Sequence, residues 1–137
     1  MSFPSDQSVW SGSWLSERTR QTPEATAVEV SGRVISYAGL REETDPWVKE
    51  LRARGVEPGH VVAALLENGL EWVLLLWALQ EIGATLLPLN LRFVPEELAH
   101  VLRDGAASFL IHGGGEQAEL AEEAAALCPG LVRCGVH

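Results

Sequence analysis

The sequence predicts an α/β domain in which a β-hairpin and a helix lead into about four parallel strands, with crossover helices on both faces of the sheet. Three observations carry this. Four strand-like stretches, Val61-Val-Ala-Ala-Leu-Leu66, Thr85-Leu-Leu-Pro-Leu89, Ser108-Phe-Leu-Ile111 and Leu131-Val-Arg-Cys134, begin 24, 23 and 23 residues apart. The intervals hold helical patterns of about ten to fourteen residues, as a parallel crossover requires. The first and third stretches are continuous apolar runs, the pattern of strands covered on both faces. The units share no sequence, so the period is architectural and not a solenoid repeat.

Each element has its own local reason. Residues 1–13 read as loosely ordered, with Trp10 and Trp14 finding packing partners elsewhere. Ala27–Val30, Ser31-Gly32-Arg33 and Val34–Tyr37 read as a hairpin with a glycine turn. A helix follows from about Ala38 to Arg54, stopped by Gly55; Pro46 in its middle should kink it or restart it with Asp45 as a fresh N-cap. Asn68 followed by Glu71 fits an N-cap with a reciprocal acid, opening a helix that is apolar nearly all round from Leu70 to Ile82 and ends at Gly83. A helix with no wet face is buried on several sides. Pro95 suits the first turn of the next helix, which runs to about Asp104 with Leu98, Val101 and Leu102 inward. The last helix, roughly Glu116 to Leu127, is stopped by Pro129-Gly130. The result is a flavodoxin/Rossmann-like layer with no linker dividing it.

Composition bounds the function. A chain of 137 residues is one domain, and apolar residues at 47% argue against disorder. Such a domain buries roughly 68–70% of its unfolded surface, enough for a core without staples. Ten basic against nineteen acidic residues give a net charge of −9, which disfavours nucleic acid and anionic membrane as partners. No run approaches the ~20 apolar residues of a membrane span, and Met1–Asp6 lacks the pattern of a secretory signal, so the expected address is the cytoplasm.

No catalytic constellation is legible. Gly113-Gly114-Gly115 sits between a strand and a helix, where amides could cradle phosphate, but lacks the Lys-Ser/Thr of a P-loop. Glu116 and Glu119 would compete for the same positive helix end, which favours a surface turn. Glu97 and His100 have the spacing of a carboxylate–histidine metal pair, yet occur in one copy beside Arg103 and read as a solvated face. Cys128 and Cys134 read as packed thiols, with a disulfide the lesser alternative. His60, His100, His112 and His137 fall in unrelated contexts, and no serine sits in a nucleophile elbow. No catalytic or metal-binding residue is assigned.

Several strings, taken in order, resemble the beginning of an adenylate-forming enzyme, the superfamily of acyl-CoA synthetases, nonribosomal peptide adenylation domains and firefly luciferase. They are Trp14-Leu15…Thr22-Pro23-Glu24…Ala27-Val28, Ile35-Ser36-Tyr37-Ala38-Gly39-Leu40, Leu51-Arg52…Gly55-Val56-Glu57-Pro58-Gly59, Val62-Ala63-Ala64-Leu65-Leu66-Glu67-Asn68-Gly69, Trp77-Ala78-Leu79…Gly83-Ala84…Pro88-Leu89-Asn90 and Pro95-Glu96-Glu97-Leu98. Their collinearity over roughly residues 14 to 112 is the signal. Leu89-Asn90-Leu91-Arg92 ahead of Pro95 resembles the acyl- and aryl-CoA ligase branch. Three positions depart from the pattern: Gly39 replaces the usual capping acid, Gly59-His60 replaces Gly-Asp, and Pro46 interrupts a helix normally left whole.

The resemblance implies a partial N-terminal domain over residues 1–137, with the hairpin and first helix at 14–58 and repeated βα units at 59–137. It implies a parent that activates a carboxylate with ATP and Mg²⁺ to an acyl-adenylate and transfers it to CoA. The family's Ser/Thr/Gly-rich phosphate loop, Tyr-x-x-Thr-Glu string, ribose-binding Asp and C-terminal lysine are not found here, and the sole lysine, Lys49, matches neither family lysine. This chain alone is therefore expected to bind none of the three cofactors firmly and to be inactive. By the same resemblance, Arg92 is the one candidate for a CoA phosphate contact, against a solvent-facing arginine paired with Glu96 or Glu97. The partner is the remainder of the parent enzyme, or another copy through exposed apolar surface. A free-standing flavodoxin-like binding module using the Gly113–Gly115 end, and a non-catalytic scaffold, remain alternatives.

Overall fold

The computed structural model describes residues 14–136; the expectations for residues 1–13, Trp10 and His137 fall outside them. Eleven elements occur among the described residues in the order α1 (Trp14–Gln21), β1 (Thr26–Val30), β2 (Arg33–Ser36), α2 (Tyr37–Ala53), β3 (Val61–Leu65), α3 (Leu70–Ile82), β4 (Thr85–Pro88), α4 (Pro95–Asp104), β5 (Phe109–His112), α5 (Glu116–Ala126) and β6 (Val132–Gly135). The four strands β3–β6 form a parallel sheet in the order β4-β3-β5-β6. The two continuous apolar strands are its centre, for the reason the sequence gives: both their faces are covered.

Alternation along β3 divides the core into two. Val62, Ala64 and Leu66 meet Val48 and Leu51 of α2 and Leu75, Ala78, Leu79 and Ile82 of α3. Ala63 and Leu65 meet Leu98, Ala99 and Leu102 of α4 and Ala121 and Ala124 of α5. Each buried leucine contributes about 1.5–3 kcal/mol by leaving water. A third cluster explains why α3 has almost no polar face. Its outer side is roofed by Leu15 of α1, Ile35 of β2 and Leu40 of α2, which pack on Leu74 with Val73 and Trp77 half-buried. Only Leu76, 42% exposed, is left bare among the leucines of α3. Arg41 ties this layer together, donating to Ser16 Oγ of α1 (2.5 Å) and Glu81 Oε2 of α3 (3.1 Å) while pairing with Asp45 at 3.1 Å.

Several local expectations are corrected. The hairpin turn is two residues, not three: Val30 pairs with Arg33, and Ser31 (φ 50°) and Gly32 (φ 77°) supply the positive φ angles of a type I′ turn. The helix α1 is absent from the sequence reading; it is polar, and only Leu15 is buried in it. Pro46 does not restart α2, which runs unbroken from the Ser36 cap, whose Oγ accepts from Gly39 N–H at 3.1 Å. Asp45 is drawn to Arg41 and caps nothing. Gly55 (φ 96°) follows the terminal Arg54. There Val56 N–H donates to Leu51 C=O and Gly55 N–H to Arg52 C=O, a Schellman closure. The N-cap of α3 is Gly69, one residue beyond Asn68, with no side-chain cap bond.

Candidate functional site

Strand order decides where a ligand would sit. The chain leaves β3 toward β4 on one side and then returns to place β5 on the other, so the loops after β3 and β5 diverge. In open parallel sheets the crevice at the carboxyl ends of such strands is the usual ligand position. Here it is a cleft of about 380 Å³ lined by Leu66, Glu67, Asn68 and Glu71 from one loop and Gly113, Gly114, Gln117 and Val136 from the other side. Two further depressions adjoin it. One is shared with Leu91, Glu116 and Leu120, the other with Leu89, Asn90 and Arg92.

Arg92 lies on this rim in the loop after β4, exposed, where its backbone N–H donates to Asn90 Oδ1 at 2.9 Å. Among the described residues no carboxylate comes within ion-pair distance of its guanidinium. Pairing with Glu96 or Glu97 is not among these ion pairs; the Glu97 carboxylate accepts from Val94 N–H at 3.4 Å at the start of α4. Arg92 is the one cationic side chain lining the three depressions, against Glu67, Glu71 and Glu116. The rim is acidic.

The glycine loop is no ready phosphate cradle. The N–H groups of Gln117, Ala118 and Glu119 are spent on Gly114 and Gly115 carbonyls. Glu116 and Glu119 occupy the first turn of α5, where they already answer its positive end. The Gln117 amide is folded over Gly113, its Oε1 lying 2.0 Å from where a Cβ would stand.

The remaining reactive groups are kept apart. His60 precedes β3 at the amino end of the sheet, its Nδ1 accepting from Glu57 N–H at 2.9 Å. His112 closes β5 at the carboxyl end, 6% exposed, with Nδ1 2.7 Å from Gly113 O. His100 is exposed on α4, and no group of three metal-ligating side chains converges among the described residues. Cys128 and Cys134 are free and buried on opposite faces of the sheet, so the intrachain disulfide alternative is closed by the layer between them. The Cys128 thiol is directed at the Ala99 carbonyl, 3.7 Å away. Sequence reasoning missed the switch-point cleft because pairing its two loops requires the strand order.

The profile of AMP-binding enzymes matches residues 15–135. The chain belongs to the AMP-binding enzyme family. It is 42% identical over 119 residues to the feruloyl-CoA synthase of an Amycolatopsis species, a match covering 87% of this chain and 23% of that protein. The N-terminal domain of FACL13 from Mycobacterium tuberculosis superposes with a TM-score of 0.80 at 26% identity, over 91% of this chain and 33% of that one. The o-succinylbenzoate CoA synthetase of Bacillus subtilis, solved with an acyl-adenylate, shares the fold with a TM-score of 0.77 at 24% identity, over 90% of this chain and 30% of that one. This AMP-binding family chain thus spans about a quarter of the length of the curated relatives of the feruloyl-CoA synthase type. Among its described residues no helix is long and apolar enough to cross a membrane.

Proposed function

We propose that the chain is the N-terminal part of a cytoplasmic, AMP-forming acyl-CoA synthetase that joins a carboxylic acid to CoA, and that it cannot do so unaided. The observation that carries the second half is the acidic rim. Attack of a carboxylate on the α-phosphorus of ATP expels pyrophosphate and gathers negative charge, which cations at close range must meet. The residues present do not fit the triphosphate of ATP: Glu67, Glu71 and Glu116 face the depressions, and Lys49 lies exposed on α2 and lines none of them. Arg92, without an ion-pair partner among the described residues, fits a phosphate of CoA, and we assign it that role.

A chimera tests the reading. The matched segment of the Amycolatopsis feruloyl-CoA synthase is replaced by residues 15–135 of this chain, and thioester formation is followed with ferulate, ATP and CoA. Retained activity, with no pyrophosphate released by the 137-residue chain alone, is the expected pair of results. A folded but inactive chimera, or pyrophosphate release from the isolated chain, overturns it. In the active chimera, Arg92→Ala should raise the KM for CoA about fivefold, the worth of ~1 kcal/mol from an exposed charged contact, and leave kcat alone. An unchanged KM removes Arg92 from the site.

A further inference from the structure

Strand order places one acid where the cleft and its two neighbouring depressions meet. The strand β3 lies between β4 and β5, so the residue leaving its carboxyl end borders the loops of both neighbours. Leu65 and Leu66 are buried and fix that exit, with Gly113 N–H donating to Leu65 C=O on one side and Leu89 N–H to Ala64 C=O on the other. Glu67 follows at once. It is exposed, and it is the single side chain that lines the cleft and both depressions beside it. Glu71 borders only the cleft and Glu116 only the depression toward Leu120, so Glu67 alone of these acids shares a wall with Arg92. The two do not pair with each other, and among the described residues neither belongs to any ion pair. They border a common depression of about 430 Å³ whose apolar wall is Leu66, Leu89 and Leu91.

We propose that Glu67 is a specificity-determining residue for the acceptor thiol, an electrostatic counterweight to Arg92 that holds down affinity for the phosphorylated end of CoA. The inference rests on the assignment of Arg92 to a CoA phosphate. A phosphate drawn to Arg92 brings up to two negative charges into the space that the Glu67 carboxylate also borders. At roughly 8 Å, the width that such a volume implies, carboxylate and phosphate repel through water by enough to cost about threefold in affinity at low salt. Raising the salt to about 0.5 M shortens the Debye length to about 4 Å and brings that factor close to one.

The effect is selective because it scales with the phosphate an acceptor carries. Pantetheine, the same thiol without phosphate, escapes it. Glu67 has no ion-pair partner to orphan and is exposed, so Glu67→Gln removes the charge and leaves the packing of β3 and α3 as it was. An exposed residue with only a structural role would not tighten a ligand when replaced.

The test starts with the 137-residue chain, into which CoA is titrated to millimolar concentration at low salt while NMR follows the Arg92 N–H and Nε–H signals. Glu67→Gln should lower the Kd about threefold, Glu67→Asp should stay close to wild type, and about 0.5 M salt should erase the difference. In the active chimera, Glu67→Gln should lower the KM for CoA by the same factor and leave kcat/KM for pantetheine where it was. Equal Kd in wild type and Glu67→Gln, a gain that persists in high salt, an equal gain with pantetheine, or Arg92 signals that CoA does not move overturns the proposal. Arg92→Ala separates this claim from the one beneath it. If that variant raises the KM for CoA while Glu67→Gln leaves it unmoved, only the role of Glu67 falls; if Arg92→Ala leaves the KM unchanged, the assignment of Arg92 falls and takes this inference with it.

Discussion

Replacing Pro46 should stabilise the protein. Pro46 is the tenth of seventeen residues in α2, exposed, and the helix runs through it without interruption. It supplies no N–H for the Glu42 carbonyl one turn earlier, and its ring crowds that carbonyl. Proline in a helix interior costs about 3 kcal/mol relative to alanine. Against this, Pro46→Ala loosens the unfolded chain, which costs about 0.4–1 kcal/mol. The net gain is about 2 kcal/mol. For a chain of this size the unfolding entropy is ~0.3 kcal/mol per degree, so Tm should rise by about 7 °C. Differential scanning calorimetry reads this directly, with Pro129→Ala, exposed beyond the end of α5, as a control that should not gain. A Tm for Pro46→Ala no higher than wild type would refute the claim that the proline is an uncompensated defect in α2.

Other perturbations have signs that the structure fixes. Gly105→Ala should destabilise by about 1–3 kcal/mol despite an ordinary φ of −81°, because the new Cβ would lie 2.7 Å from Leu87 Cδ2; denaturant unfolding measures it. Val94→Ser should raise stability by about 1 kcal/mol, since Val94 is the half-exposed N-cap of α4 and serine would complete the box that Glu97 has begun. In an NMR titration Glu17 should have its midpoint below 4.5, because Arg20 hydrogen-bonds its carboxylate, and Arg20→Ala should bring it back up. The contribution of that contact is present above pH 4.5 and fades as acidification passes the lowered value.

The layered fold was legible because its signals are local and redundant. Gly83 adopts φ 88° at the end of α3, Pro95 opens α4, and the two doubly covered strands announce themselves as unbroken apolar runs. What escaped was decided by tertiary context. Leu15 alone anchors α1, and a single buried leucine leaves no periodic signal. Packing of Val48 and Leu51 holds α2 together across a residue that local rules would have used to break it. The site was less legible than the fold. Glu67 and Gln117 are fifty residues apart and share a cleft only because β3 and β5 are neighbours, a fact no window of sequence contains. Arg92 was reached only through the family resemblance, and that Glu97 turns back toward Val94 N–H at the start of its own helix is a matter of rotamer that sequence does not specify.

The roof over α3 also sets an order of events during synthesis. A helix this greasy, emerging bare from the ribosome, would seek any apolar neighbour. Leu15, Ile35 and Leu40 all precede it in the chain, so the surfaces that shelter Leu74, Val73 and Trp77 have left the tunnel before α3 does. The amino-terminal hairpin and its flanking helices are thus already available to shelter the segment that follows, and a chain lacking them would leave the outer side of α3 uncovered.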